Sequence, residues 1–224
     1  QTFFWRGKYH MNFNRRDTLE VRLGVSENYE PAIPDAIREC PYVLLANSSP
    51  QTQTKILDAV KNPKFTVLDT MNLWIETAQN ELKELIKRVD LLILNDSEAQ
   101  QLADENNTVI CGDILRQMGA KSVIIKKGEH GAMLFHDDGF FTIPAYPVRV
   151  LRDPTGAGDS FAGALIGRIA KEGDASFKSI KRAMLSASAT ASMTVETFSC
   201  RKLEEAGLAE IQRRENYISQ IASF

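Results

Sequence analysis

Four short stretches constrain the fold more than any other feature of the sequence: Tyr42–Ala46 (YVLLA), Phe65–Asp69 (FTVLD), Leu91–Leu94 (LLIL) and Ser122–Lys126 (SVIIK). Each is an almost unbroken apolar run of four or five residues, without the alternation expected of a strand that has one wet face. Helical spacing fills the gaps between them: Gln53–Val60, Glu76–Arg88 with Leu82, Leu85 and Ile86 on one face, a helix starting at Ser97–Ala103, and Asn107–Met118. Strands that are apolar on both sides and separated by helices indicate a mostly parallel sheet covered by helices on both faces, an α/β fold.

The remaining segments attach to that sheet. Gly131–Phe135 and Gly139–Ile143, joined by the turn His136–Asp138, read as an antiparallel hairpin. Thr2–Phe13 alternates loosely and Thr18–Val25 (TLEVRLGV) more regularly, so both read as strands with one wet face, ahead of a Pro-punctuated stretch from Glu30 to Pro41. Three helices follow residue 153 and end in a polar tail, Glu204–Phe224. No repeat, low-complexity segment or linker divides the chain. The expected organisation is therefore a β appendage over residues 1–29 and one α/β domain over residues 30–224.

Charge and composition narrow the function classes. A net charge of −2 gives no general attraction to nucleic acid or anionic membranes, so an anionic ligand must be held by local groups. No apolar run approaches the roughly 20 residues of a membrane span. The N-terminal QTFFWRGKYHMNFNRR lacks the apolar core of a signal peptide. Cys40, Cys111 and Cys200 are far apart and odd in number, which speaks for reduced cytoplasmic thiols rather than a disulfide framework or a CxxC metal site. His10, His130 and His136 have no ligand spacing. The chain opens on Gln1 and runs directly into strand-like sequence, from which a front portion of the protein is expected to precede it.

In open α/β sheets ligands bind beyond the carboxyl ends of the strands, and three such ends carry polar residues here. The first group is DPTGAGDSFAGALIG, residues 153–167. A Gly156-Ala157-Gly158 turn feeding a helix at Asp159–Ile169 leaves N–H groups facing outward at the positive end of the helix dipole, an anion site suited to phosphoryl oxygens. Asp159 is then either a helix N-cap or a base that accepts a proton from an attacking hydroxyl. The second group, Asn95-Asp96-Ser97-Glu98, follows LLIL. It reads as a capping box or as a carboxylate able to hold Mg2+ through water. The third, Lys126-Lys127-Gly128-Glu129-His130-Gly131, follows SVII and suits a strand-to-turn transition or a polyphosphate contact. No GxxxxGK[ST] occurs, which excludes an ordinary P-loop, and no GxGxxG follows a strand.

NDSE, KKGEHG and DPTGAGDSFAGAL, in that order, resemble the ribokinase-like (PfkB) family of carbohydrate and nucleoside kinases, with the last stretch the most specific. The match spans roughly residues 42–200. The resemblance implies a ribokinase-like fold in which the front strands form a small lid over the substrate, pairing between subunits in a homodimer. It implies ATP-dependent phosphoryl transfer to an alcohol of a sugar, with a nucleoside as the alternative acceptor and a non-catalytic ligand-binding member of the same fold as a third reading. By the same resemblance Asp159 is the general base, and Gly156, Ala157 and Gly158 form the anion hole. Asn95 and Glu98 govern Mg2+ and phosphate position. Lys126, Gly128 and Gly131 fall in the nucleotide-contacting loop, where many relatives have Thr in place of Lys126, and Ser188 stands at the adenine pocket. Asp153 and the Thr155 carbonyl match a monovalent-cation (K+) site completed by the loop Thr194–Ser199. The usual glycine of that loop is absent, and Ser199 stands nearest to it. The family's Gly-Gly-Asn substrate motif and its acidic sugar-binding residue are expected before Gln1. Asp69 and Asn72 (DTMNLW) resemble a D-x-N region of some sugar kinases with one extra residue, or else form a capped turn after a strand.

Overall fold

The computed structural model describes residues 1–10, 16–27 and 29–223. Two sheets are present. The smaller pairs β1 (Phe4–Tyr9) with β2 (Arg16–Arg22) antiparallel, with a register shift between Arg6 and Gly7. The strand expected to run to Val25 stops at Arg22. Gly24 takes a φ of +55°, and residues Gly24–Ser26 form a 3₁₀ turn whose Val25 amide donates to the Gln1 carbonyl. Residues 11–13 of the first expected strand lie outside the described residues.

The larger sheet has six strands in the order of the chain: β3 (Tyr42–Leu45), β4 (Phe65–Asp69), β5 (Leu91–Asn95), β6 (Ser122–Lys126), β7 (Ala132–His136) and β8 (Gly139–Ile143). Pairs from β3 through β6 are parallel, and β7 and β8 form the expected antiparallel hairpin. After the short α1 (Asp35–Arg38), the crossovers are α2 (Pro50–Ala59), α3 (Asn72–Thr77) with α4 (Gln79–Ile86), and α5 (Asp96–Ala103) with α6 (Thr108–Gln117). Past β8 come α7 (Ala157–Glu172), α8 (Phe177–Thr194), α9 (Arg201–Glu205) and α10 (Leu208–Ile221).

Alternate residues of the central strands enter two separate cores, which explains their unbroken apolar runs. Leu92, Leu94, Val123 and Ile125 join Leu57, Leu82, Leu85, Leu102 and Leu115 from the crossover helices. Leu91, Ile93 and Ile124 face Phe161, Leu165, Ile180, Met184 and Ile218 from α7, α8 and α10. Strands laid down in chain order with crossovers of one hand put all their helices on one face, so the C-terminal helices cover the other.

Two expectations about the helices need correction. Glu76–Arg88 is not one helix: the chain breaks at Ala78 (φ −143°, ψ 39°). Thr77 Oγ1 donates back to the Leu73 carbonyl at 2.7 Å, and Trp74 Nε1 donates to Asn47 Oδ1 at 2.9 Å. A hydroxyl that takes a backbone carbonyl competes with helix continuation, while the indole pins α3 to the loop after β3. Among the described residues four helices, not three, follow residue 153, and most of the polar tail after Glu204 is helical. It forms α10, which lies against α8 through Arg214, Glu215 and Ile218.

Candidate active site

Asp69, Asn95 and Lys126 end three adjacent strands, β4, β5 and β6, and Asn95 is the register partner of Lys126. Helix α7 starts beside them. Its N-cap is Gly156 (φ +82°, left-handed), a conformation that costs an L-residue roughly 1–2 kcal/mol and a glycine nothing comparable. Ala157 is thus the first helical residue: the helix starts two positions before the expected Asp159, which becomes its third residue. Asp159 does not cap the helix: the N-cap position is already taken, and its side chain is exposed.

The geometry also refines the anion site. The Ala157 amide donates to the Pro154 carbonyl at 3.2 Å, closing the turn, so it is engaged within the chain. Gly158 and Asp159 lie in the first helical turn, whose amides have no intrahelical acceptor. Together with the dipole of this 16-residue helix, those amides favour an anion at its start. Thr194 at the end of α8 donates to Ser160 Oγ at 2.7 Å and holds that start in place.

Lys126 reaches into the same space. A methyl group built on Gly158 would lie 3.0 Å from Lys126 Nζ. The ammonium also stands 3.5 Å from Asp69 Oδ1, with the two side chains 16% and 7% exposed. Burial pushes the Asp69 carboxyl above the ordinary carboxylate range; Lys126 pulls it back down and the charge of Asp159 adds to the rise. This pair was not legible in the sequence. Fifty-seven positions separate its members; the sequence marked Asp69 as part of a D-x-N-like stretch and both residues as strand ends, without pairing them.

Asn95 and Glu98 form a complete capping box. Asn95 Oδ1 accepts from the Glu98 amide and Glu98 Oε2 accepts from the Asn95 amide, both at 2.8 Å, and Glu98 is 3% exposed. Gly128 opens a 3₁₀ turn after β6, and the Lys127 amide donates to the Gly131 carbonyl at 2.7 Å. Gly131 (φ +84°) leaves no room for a side chain, since a Cβ there would fall 1.9 Å from the Ile143 carbonyl oxygen. Ser188 is buried in α8 and its hydroxyl faces the Pro144 carbonyl at 3.4 Å.

Asp153 Oδ1 accepts from the Thr155 amide at 2.9 Å. The Arg152 and Asp153 amides both point at the Val195 carbonyl, at 2.8 and 3.3 Å, so the two segments expected to share a cation lie side by side. Ser199 adopts φ +61°, the left-handed conformation that the absent glycine would favour. A contact from the smaller sheet completes the site: Tyr9 Oη and Thr155 Oγ1 are 3.2 Å apart, although 146 positions separate them. Among the described residues no group of three or more His, Cys, Asp or Glu side chains is arranged to hold a metal, and no helix is long and apolar enough to cross a membrane.

The sequence matches the family model described as "pfkB family carbohydrate kinase" over residues 13–206. The chain belongs to this family. Among its pfkB relatives, a cytidine kinase of Thermococcus kodakarensis is 30% identical over 151 residues, covering 65% of this chain and 54% of the relative. The chain therefore spans about half the length of that kinase. Among solved structures, a ribokinase of Thermotoga maritima superposes with a TM-score of 0.73 at 20% identity, covering 96% of this chain and 70% of that one. An E. coli ribokinase-type chain solved with ATP and Mg2+ gives 0.70 at 20% identity, covering 91% and 68%. At such identities the structures establish the ribokinase fold.

Proposed function

We propose that the protein is an ATP-dependent phosphotransferase that moves the γ-phosphoryl group to an alcohol of a sugar, as a pfkB carbohydrate kinase. The observation that carries this reading is Asp159, an exposed carboxylate in the first turn of α7 beside amides that favour an anion. A carboxylate next to an anion site repels the ligand unless it has a proton to accept, and an attacking hydroxyl supplies one. Asp159 takes that proton, which contributes about 10²–10⁴-fold to the rate. The Gly156-Ala157-Gly158 turn, through the free amides of Gly158 and Asp159, and Lys126 neutralise the charge on the transferred group, and in-line positioning does the rest.

Lys126, Gly128 and Gly131 contact the nucleotide in this reading, with Ser188 at the adenine. Asn95 and Glu98 set the position of phosphate and of Mg2+. Because Glu98 is committed to the capping box, it acts through water, which suits an ion that keeps several waters and takes one or two carboxylates. Bound Mg2+ would offset the charge of the phosphates. Asp153 and the Thr155 carbonyl, with the loop Thr194–Ser199, form the site for a monovalent cation such as K+. Residues 1–29 act as the lid, through which two copies would pair.

A nucleoside is the second acceptor class, favoured by the identity with a cytidine kinase. Purified protein, ATP and Mg2+ incubated with a panel of sugars and nucleosides, read as ADP release, separates the two classes. We expect turnover on one class. The Asp159→Asn variant should melt within about 2 °C of wild type and lose at least a hundredfold in kcat. An Asp159→Asn protein with wild-type kcat removes the assigned base, and nucleotide binding without turnover on any alcohol favours a non-catalytic ligand-binding role.

A further inference from the structure

Asp69 has no task in the reaction described above, yet it ends β4 at the site. Every residue of that strand is buried, and the carboxyl is 7% exposed. A buried carboxylate persists only with partners, and those of Asp69 are the Thr70 amide and Lys126 Nζ, the latter at 3.5 Å. That distance exceeds the 2.7–2.9 Å of a closed charge-assisted hydrogen bond. The ammonium has three donors, and the same atom lies beside Gly158, where an added methyl would approach it to 3.0 Å. One cation thus stands between a buried carboxylate and the first turn of α7. A lysine on a four-carbon stem is a mobile point charge, and a charge assists a transition state only when it is held in place beforehand.

We propose that Asp69 is a positioning residue: it holds the Lys126 ammonium over Gly158, so that the lysine meets the phosphoryl group as charge builds on it. The proposal rests on the kinase reading. Asp69 touches neither nucleotide nor acceptor and acts through Lys126.

The test is a double-mutant cycle of wild type, Asp69→Asn, Lys126→Met and the double variant, each checked for folding by thermal melting. For each, kcat, KM for ATP and the dissociation constant of a non-hydrolysable ATP analogue with Mg2+ are measured. We expect Asp69→Asn to lower kcat by roughly 10- to 100-fold, the scale of a misplaced catalytic contact, and to weaken the analogue by less. With Met at position 126, Asp69→Asn should change kcat by no more than about twofold, because the group it positions is gone. Equal losses in both backgrounds, or wild-type turnover by Asp69→Asn, overturn the proposal while leaving the kinase reading intact. Wild type that neither turns over nor binds the analogue overturns the kinase reading itself. If wild type binds the analogue without turnover, the cycle is read on the dissociation constants: departure from multiplicative effects by about threefold or more supports the pairing, and simple multiplication overturns it.

Discussion

A methyl group at Gly158 would add almost nothing to α7 and yet intrude on Lys126 Nζ at 3.0 Å. Gly158 is the second helical residue and has no left-handed φ, so alanine fits its backbone and is up to about 1 kcal/mol the better helix former. Gly158→Ala should therefore keep or slightly raise the melting temperature while displacing the ammonium and lowering kcat roughly 10- to 100-fold. Melting curves and kcat measured on the same preparation check it; a fall in both would trace the loss to folding instead. Gly131 is different in kind, because its Cβ would collide with the Ile143 carbonyl oxygen. In the sequence these glycines look alike, and only the distances separate a glycine that spares a side chain near the site from one that lets two backbones meet. The candidate base and its turn were legible because local chemistry defines them: a small-residue stretch with an acid, at a helix start. Asp69 stood out only as the acid of a D-x-N-like stretch, and its pairing with Lys126 was hidden because that partner lies on another strand.

Strands and the early helices were legible from apolar periodicity, because their cores are apolar. Helix α10 escaped that reading because polar contacts hold it. Arg214, 3% exposed, donates to Glu210 at 2.9 Å, Ser192 at 2.8 Å and Glu196 at 2.8 Å, and its guanidinium lies 4.5 Å from the centre of the Tyr146 ring. Glu215 bonds Ser186. Such a helix presents no wide apolar stripe, so its sequence reads as a tail. The break at Ala78 was hidden for a related reason: Thr77 and Trp74 are stopped by contacts outside the pattern that Leu82, Leu85 and Ile86 display. Hydrogen bonds from Arg213 and then from Arg214 hold the Glu210 carboxyl at about 2, well below its usual value of 4.5. A depressed carboxyl contributes stability that is present above its unfolded value and lost as pH falls through its folded one. The attachment of α10 should thus be intact above about pH 4.5 and weaken progressively towards pH 2. Melting temperature followed from pH 6 to pH 2 should show a steeper acid loss for wild type than for Glu210→Gln, and parallel curves would remove Glu210 from the acid response. Arg214→Met, which leaves Glu210 with Arg213 alone and Glu196 with only Lys202 at 3.9 Å, should cost about 2 kcal/mol at neutral pH, the scale of hydrogen bonds to charged groups.

At the scale of the whole molecule, the smaller sheet touches the turn that opens α7, the helix that holds the proposed base. Tyr9, the last residue of β1, meets Thr155 immediately before the left-handed Gly156, so a hydroxyl of the smaller sheet is bonded within the turn that opens α7. The smaller sheet, the lid of the proposed function, is therefore tied to the turn that precedes α7. A neutral hydrogen bond of this exposed kind contributes at most about 1 kcal/mol, a factor of about five in an opening equilibrium. Tyr9→Phe keeps the ring, including its edge contact with Trp5 at 6.4 Å between centroids, and removes only the hydroxyl. Amide exchange in β1 and β2 should then accelerate up to about fivefold, while the amides of β4, β5 and β6 exchange at wild-type rates, because those strands lie in the buried core. If the smaller sheet closes over the acceptor, KM for the acceptor should rise by a similar factor with kcat nearly unchanged, since Asp159 and Lys126, the groups proposed to act on the phosphoryl transfer, are not altered. Unchanged exchange in β1 and β2 would mean that the hydroxyl pair does not hold the lid, and acceleration across both sheets would mean that it stabilises the whole fold.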